Sequence, residues 1–233
     1  MDHTMVFARV EKKYVLDEEM YHLLMNEIKD HIQLDQYGKH TICNLYFDND
    51  HDELARSNFQ KPIYKEKLRL RSYGVPQINS LVFLEMKKKY KGIVYKRRIS
   101  LTLDEVEMFI QGKCPIKDQI EKEIQYFIQF YHPYPKIYLA YERCAYYGID
   151  EPELRMTFDE NIRSRQKDLF LEYGDDGQLL FNEQRYLLEI KTVDAYPTWL
   201  IQALNKLGIY PASFSKYNNV YKSLFLKEAY VCV

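Results

Sequence analysis

The sequence predicts an α+β fold: a closed antiparallel β-barrel of eight or nine strands with helices around it. Three observations lead there. Eight or nine short segments alternate polar and apolar residues with the period of two that a strand imposes. Five others carry apolar residues at helical spacing. Tyrosine is abundant, 22 of 233 residues, which favours sheet with polar-ended packing. Strands in such number would present many open edges unless the sheet closed on itself. The length and a hydrophobic content of 46% fit one domain over residues 1–233.

Taken in order, "FARVEKKYVL" (7–16) reads as a strand. Asp17 caps a helix over "EEMYHLLMNEIKDHI", with apolar residues at 20, 23, 24 and 28. "HTICNLYFDND" (40–50) is a strand ending in an Asx-rich turn, and "YKEKLRLRSYG" is the next strand. "SLVFLEMKK" and "GIVYKRRISL" flank a hairpin turn at Lys89, Tyr90, Lys91 and Gly92. Thr102 and Glu105 form a capping box before "LDEVEMFIQG", and Gly112 ends that helix. A helix over 116–131 stops at "HPYP". Strands follow at "KIYLAYERCAYYG", "LRMTFDENI", "DLFLEYG" (168–174) and "YLLEIKTV". Pro197 opens a helix over "YPTWLIQALNKLG", and "SFSKYNNVYKSLFLKEAY" is the last helix.

Charge excludes some classes of function. The net charge of −1 speaks against a nucleic-acid binder, whose footprint is a basic domain. Yet residues 61–98 hold twelve Lys/Arg against Glu66 and Glu85, a balance of +10 offset by −11 elsewhere. Such a concentration focuses a field on an anionic ligand. Four cysteines without a C-x-x-C pair suggest neither a disulfide framework nor a zinc site. No leader and no run of about 18 apolar residues is present, so a cytoplasmic protein without a membrane span is expected.

The strands sort their charges by face. Glu11 and Lys13 share one, as do Arg69 and Arg71, Glu85 and Lys87, Lys96 and Arg98, Tyr141 and Arg143, Arg155 with Thr157 and Asp159, and Glu189 and Lys191. Each strand alone reads as amphipathic sheet with a solvated face. Together they suggest an inverted barrel, charged inside, with helices over its apolar outside. Buried cations need counter-charge. An elongated polyanion such as triphosphate would supply it, gripped by arginine forks. Glu189, Glu11 and Glu85 could hold Mg²⁺ or Mn²⁺, which prefer oxygen ligands.

The ordered series "EKKY", "LYFDN", "KLRLRSYG", "FLEMK", "YKRRISL", "YERCAY", "LRMTFDENI", "LLEIK" and "FSKY" resembles the VTC (vacuolar transporter chaperone) domain of the triphosphate tunnel metalloenzymes, over residues 7 to 225. The resemblance implies an eight-stranded tunnel that makes polyphosphate from ATP with a divalent cation, Mn²⁺ or Mg²⁺. Lys13, Arg69, Arg71, Lys87, Lys96, Arg98, Arg143 and Arg155 would grip phosphates. Glu189 would bind the metal, with Glu11 as a second ligand and Lys191 beside it. Ser215 and Lys216 would contact phosphate, and Tyr14 and Tyr141 would lie near the tunnel mouth or the base. Arg143, Arg155, Lys191 and Glu189 would form the catalytic group. Hydrolytic relatives, the CYTH enzymes, open with E-x-E-x-K, whereas "ARVEKKY" lacks the first acid. That favours the polymerase branch. A metal-dependent triphosphatase, or a non-catalytic binder of polyphosphate or inositol phosphates, remain the alternatives. The membrane spans and phosphate-sensing domain of eukaryotic polymerases are not expected in these residues, which leaves room for a separate membrane partner.

Other residues have plainer readings. The six histidines show no ligand spacing, and Asp48, Asn49 and Asp50 read as a turn. Lys87 to Lys91 read as a hairpin rim, Arg163 and Arg165 as a solvated strand end, and Trp199 as core.

Overall fold

A computed structural model describes residues 10–60, 62–91, 93–193 and 195–225. In chain order the elements are β1 (Val10–Asp17), α1 (Glu18–Ile28), β2 (Ile32–Leu34), β3 (His40–Asp48), α2 (Glu53–Ser57), β4 (Tyr64–Tyr73), β5 (Leu81–Tyr90) and β6 (Ile93–Thr102). Then come α3 (Glu105–Ile110), α4 (Gln119–Tyr131), β7 (Tyr134–Gly148), β8 (Arg155–Arg165), β9 (Gln178–Leu179), β10 (Arg185–Thr192), α5 (Thr198–Lys206) and α6 (Lys216–Phe225). The chain divides into two compact units. The first is Met1–His40, Tyr141–Ile162 and Phe181–Ser215; the second is Thr41–Ala140, Arg163–Leu180 and Lys216–Val233.

In the first unit the strands run β1-β10-β8-β7, all described registers antiparallel. One sheet face is apolar: Tyr14, Leu16, Met156, Phe158, Leu188 and Ile190 are buried against Leu24 and Ile28 of α1 and Leu200 and Leu204 of α5. Asp17 starts α1 as expected, its carboxylate accepting from Met20 N–H at 2.8 Å. Trp199 is packed here, stacked on His31.

In the second unit the order is β7-β3-β4-β5-β6. Cys43, Leu45, Leu68, Leu70, Leu84, Met86 and Ile99 form its apolar face, buried under Val106 and Phe109 of α3 and Ile124, Phe127 and Ile128 of α4. The Glu105 carboxylate accepts from Thr102 N–H, as the capping box requires, and Gly112 follows α3 with φ +71°. Asp118 caps α4 through Glu121 N–H. Cys43, Cys114 and Cys144 are free thiols, and Cys232 lies outside the described residues.

The closed barrel is not formed. Among the described residues the strand path has two ends, β1 and β6, and no pairing joins them. Closure requires both edges of every strand to take a strand neighbour. On β1 the Lys13 carbonyl instead accepts a hydrogen bond of 2.7 Å from Ala212 N–H, in the loop before α6. A loop thus occupies an edge that a ring would need.

Two further expectations change. Residues 168–174 do not form a strand; Leu171 is buried in the core, and the segment loops around two arginines. Arg165 donates to the carbonyls of Asp168, Phe170, Gly174 and Asp176 and lies 3.6 Å over the Tyr138 ring. Arg163 pairs with Asp175 at 2.6 Å. Neither is a solvated strand end: their side chains are 13% and 11% exposed. Gly177 closes the loop, passing so near β8 that a Cβ would sit 2.8 Å from the Ser164 carbonyl oxygen. The outer parts of the first strand (7–9) and last helix (226–230), with Gly92 of the hairpin turn, lie outside the described residues.

Candidate functional site

The chemistry of the second unit lies on the face of its sheet opposite the apolar one. Register sets Arg69, Glu85 and Arg98 side by side, and Lys67, Lys87 and Lys96 in the next row. Asn44 and Tyr46 of β3 stand opposite Arg71 and Arg69. Glu85 is the hub, only 3% exposed. Its Oε2 accepts from Arg69 Nε at 2.8 Å and pairs with Nη2 at 2.7 Å; its Oε1 pairs with Lys96 Nζ at 2.6 Å. Arg71 and Arg98 approach within 3.9 and 3.8 Å. Burial pushes the Glu85 carboxyl upward, but Arg69, Arg71 and Lys96 more than offset this and hold it at about 2. Burial, then Arg69 and Arg71, lower the Lys96 amine against the pull of Glu85.

The arginines are aimed by neutral groups. Arg71 Nε donates to Asn44 Oδ1 at 2.9 Å, and Asn44 Nδ2 donates to the Leu139 carbonyl. Arg69 Nη1 donates to the Tyr46 hydroxyl at 3.1 Å. Arg98 lies 3.5 Å over the Phe83 ring. Helix α6 brings Asn218, whose Oδ1 accepts from Lys67 Nζ at 2.9 Å, and Tyr217, which stacks on Tyr46 and donates to Asp48. Asp48 also accepts from the N–H groups of Asn49, Leu54 and Ala55, the turn that its sequence suggested. Six cations therefore share this face with Glu85: Lys67, Arg69, Arg71, Lys87, Lys96 and Arg98. The fold fixes a positive surplus for an anion to use.

The first unit carries a mixed face. Glu11 opposes Lys191, Lys13 opposes Glu189, and Glu189 opposes Thr157. Lys13 Nζ is 3.4 Å from Glu189 and 3.6 Å from Glu11; Lys191 Nζ is 2.5 Å from Glu189 and 3.8 Å from Glu11. Asp159, fully buried, receives Arg143 in a two-pronged contact of 2.6 and 2.8 Å. Burial works against the Arg143 charge, but Tyr141 beside it and the carboxylates of Asp159 and Glu189 raise its pKa further than burial lowers it. Arg155 lies over the Tyr147 ring and makes no ion pair with the described residues.

The donor set suits a hard divalent cation. Two carboxylates, Glu11 and Glu189, converge on the same two ammonium groups, so a cation is already accommodated between them. The Thr157 hydroxyl oxygen opposite Glu189 is buried without a hydrogen-bond partner. No group of three His, Cys, Asp or Glu gathers among the described residues, so phosphate oxygens and water would complete the coordination.

The structure thus brings together Arg69, Arg71, Lys87, Lys96 and Arg98 in one unit, and Glu11, Lys13, Arg143, Arg155, Glu189 and Lys191 in the other. Ser215 directly precedes α6 and Lys216 is its first residue. Tyr14 packs in the apolar cluster of the first unit, away from Glu11 and Lys13, and is 2% exposed. Glu85 is the counter-ion of four cations, which leaves it poorly placed as a metal ligand. Sequence reasoning passed over Asn44 and Tyr46, whose alternation with Asp48 was a usable signal. It gave no role to Asp159, or to Tyr217 and Asn218, for which no local pattern exists.

Comparison with solved structures shows the fold to be shared. A candidate adenylate cyclase from Bacillus halodurans superposes with a TM-score of 0.56 at 12% identity, covering 93% of this chain and 97% of its own. A candidate adenylyl cyclase from Hippeastrum, described as having a dominant triphosphatase activity, gives 0.56 at 18% identity, covering 92% and 95%. A third, from Vibrio parahaemolyticus, gives 0.50 at 12% identity, covering 91% and 97%. Among curated proteins no sequence matches significantly. No helix among the described residues is long and apolar enough to cross a membrane. The profile of the VTC domain matches residues 8–225, so the chain belongs to the VTC domain family.

Proposed function

We propose that this chain is a polyphosphate polymerase that transfers the terminal phosphate of ATP onto a growing polyphosphate chain. The observation that carries the proposal is the array of six cations around Glu85, a built receptor for an elongated polyanion. The acceptor, an end phosphate, is already a nucleophile, so no strong base is required. Catalysis would rest on positioning and charge neutralisation. Arg69, Arg71, Lys87, Lys96 and Arg98 hold phosphate oxygens. Arg143, fixed by Asp159, and Arg155 take charge developing on the transferred group. Glu11 and Glu189 would bind Mn²⁺ or Mg²⁺, which would neutralise phosphate charge, with Lys13 and Lys191 reorienting toward phosphate. Ser215 and Lys216 add phosphate contacts.

Incubation with ATP and Mn²⁺, followed by electrophoresis and staining for long polyphosphate, tests this. Polymer is the expected product, and Glu189→Gln should abolish it. Release of free phosphate from ATP or triphosphate without polymer would sink the polymerase reading. A second reading, a metal-dependent triphosphatase, is favoured by the activity ascribed to the Hippeastrum protein of the same fold. Binding of polyphosphate with neither product would indicate a non-catalytic module.

A further inference from the structure

The β4–β5–β6 sheet ends in an amphipathic tip outside the array around Glu85. Register places Tyr64, Tyr90 and Ile93 side by side on one face, and they are 45%, 45% and 56% exposed. Tyr95, two residues beyond Ile93 on the same strand face, extends this patch at 43%, and Ile63, just before Tyr64, is 68% exposed. The Ile63 carbonyl accepts from Lys91 N–H, tying the three strands together at this end. On the other face Lys65, Lys89 and Val94 line up. Lys91 lies over the Tyr90 ring. Lys65, Lys89 and Lys91 make no ion pair with the described residues, and the nearby acid, Glu66, is buried and paired with Lys88.

We propose that this tip docks on a bilayer bearing anionic headgroups. Side chains of this kind on adjacent strand ends are costly to leave in water without a partner. Tyrosine rings suit the headgroup level, where one end is apolar and the other wet. Lys91 over the Tyr90 ring, with Lys65 and Lys89 on the other face of the same tip, supplies attraction to anionic lipid. Two weak signals, shallow apolar insertion and a basic cluster, together give stable but reversible attachment. Charge complementarity selects this occupant: a neutral apolar partner would gain nothing from the lysines, and a soluble polyanion would leave the tyrosine and isoleucine face in water.

The test is sedimentation of the full chain with phosphatidylcholine vesicles, with and without phosphatidylserine, at low and high salt. Binding should require phosphatidylserine and weaken with salt. Tyr90→Ser with Ile93→Ser should reduce partitioning about tenfold. Lys89→Glu with Lys91→Glu should reduce it by more than tenfold. Tyr126→Ser with Phe130→Ser, removing comparably exposed rings on α4, should change nothing. Thermal melts of each variant guard against misfolding, and ATP turnover without vesicles should be unaltered. The proposal is overturned if vesicles are not bound, if phosphatidylcholine alone suffices, or if the lysine change matters and the Tyr90/Ile93 change does not. Lysine-dependent capture of soluble polyphosphate at the tip, without vesicle binding, would also overturn it.

Discussion

The two charged faces pair carboxylates with cations in opposite ways. In the second unit one carboxylate, Glu85, is buried among three guanidinium groups and the Lys96 ammonium. In the first, Glu11 and Glu189 are held by lysines, with side-chain exposures of 26% for Lys13 and 40% for Lys191. Arginine forks fix a carboxylate in a rigid, multiply bonded geometry, whereas an ammonium is a mobile point charge on a flexible stem. The first arrangement builds structure around an anion; the second is a placeholder that another cation can displace.

Removing Glu85 offers the strongest way to break this contrast. Glu85→Ala would leave Arg69, Arg71 and Lys96 uncompensated, at a cost on the order of 3–5 kcal/mol, read as a large fall in Tm. The same residue sets a pH dependence. Its folded pKa, about 2, lies below the unfolded value, so its stabilisation is complete above about pH 4.5 and is lost as pH falls toward 2. Over that window the contribution is on the order of 3 kcal/mol. Acid unfolding of Glu85→Gln should lack that component.

Asp159→Ala comes next, stranding the buried Arg143 and costing about 2–4 kcal/mol. Asp159→Asn, which keeps one acceptor, should cost less in stability, and separate melts would show this. Glu189→Gln should behave in the opposite manner to Glu85→Ala, with little change in Tm, a loss of metal binding by calorimetry and a fall in turnover of at least about 100-fold. A large loss of stability in Glu189→Gln would erase the distinction between the faces. The smallest effect belongs to the apolar face of the second unit, where Glu123 of α4 joins Lys88 and Arg97 at 3.2 and 3.0 Å. Glu123→Ala should cost about 0.5–1 kcal/mol and leave phosphate binding unchanged.

The alternation of Leu68 and Leu70 with Arg69 and Arg71 was enough to assign faces, because a strand has only two. The helices over the apolar side followed from the same pattern. Closure did not, since it depends on what meets the outer edge of β1, and Ala212 is far away in sequence. The 168–174 segment read as a strand because "DLFLEYG" alternates, yet Arg165 competes for its carbonyls. Tyr217 and Asn218 were hidden because a helix's own periodicity does not say which sheet it covers. Asp159 was visible on the right face, but its buried pairing with Arg143 required the neighbouring strand.

Arg165 also makes a prediction about fragility. Four carbonyls spread over nine residues converge on one guanidinium, so Arg165 gathers most of the loop between β8 and β9, with Arg163 holding Asp175 beside it. Lysine offers three donors without the plane and cannot reproduce that geometry. Arg165→Lys should therefore turn an ordered segment into a preferred cleavage point for a protease, with scission confined to residues 166–177 while the strands on either side stay intact.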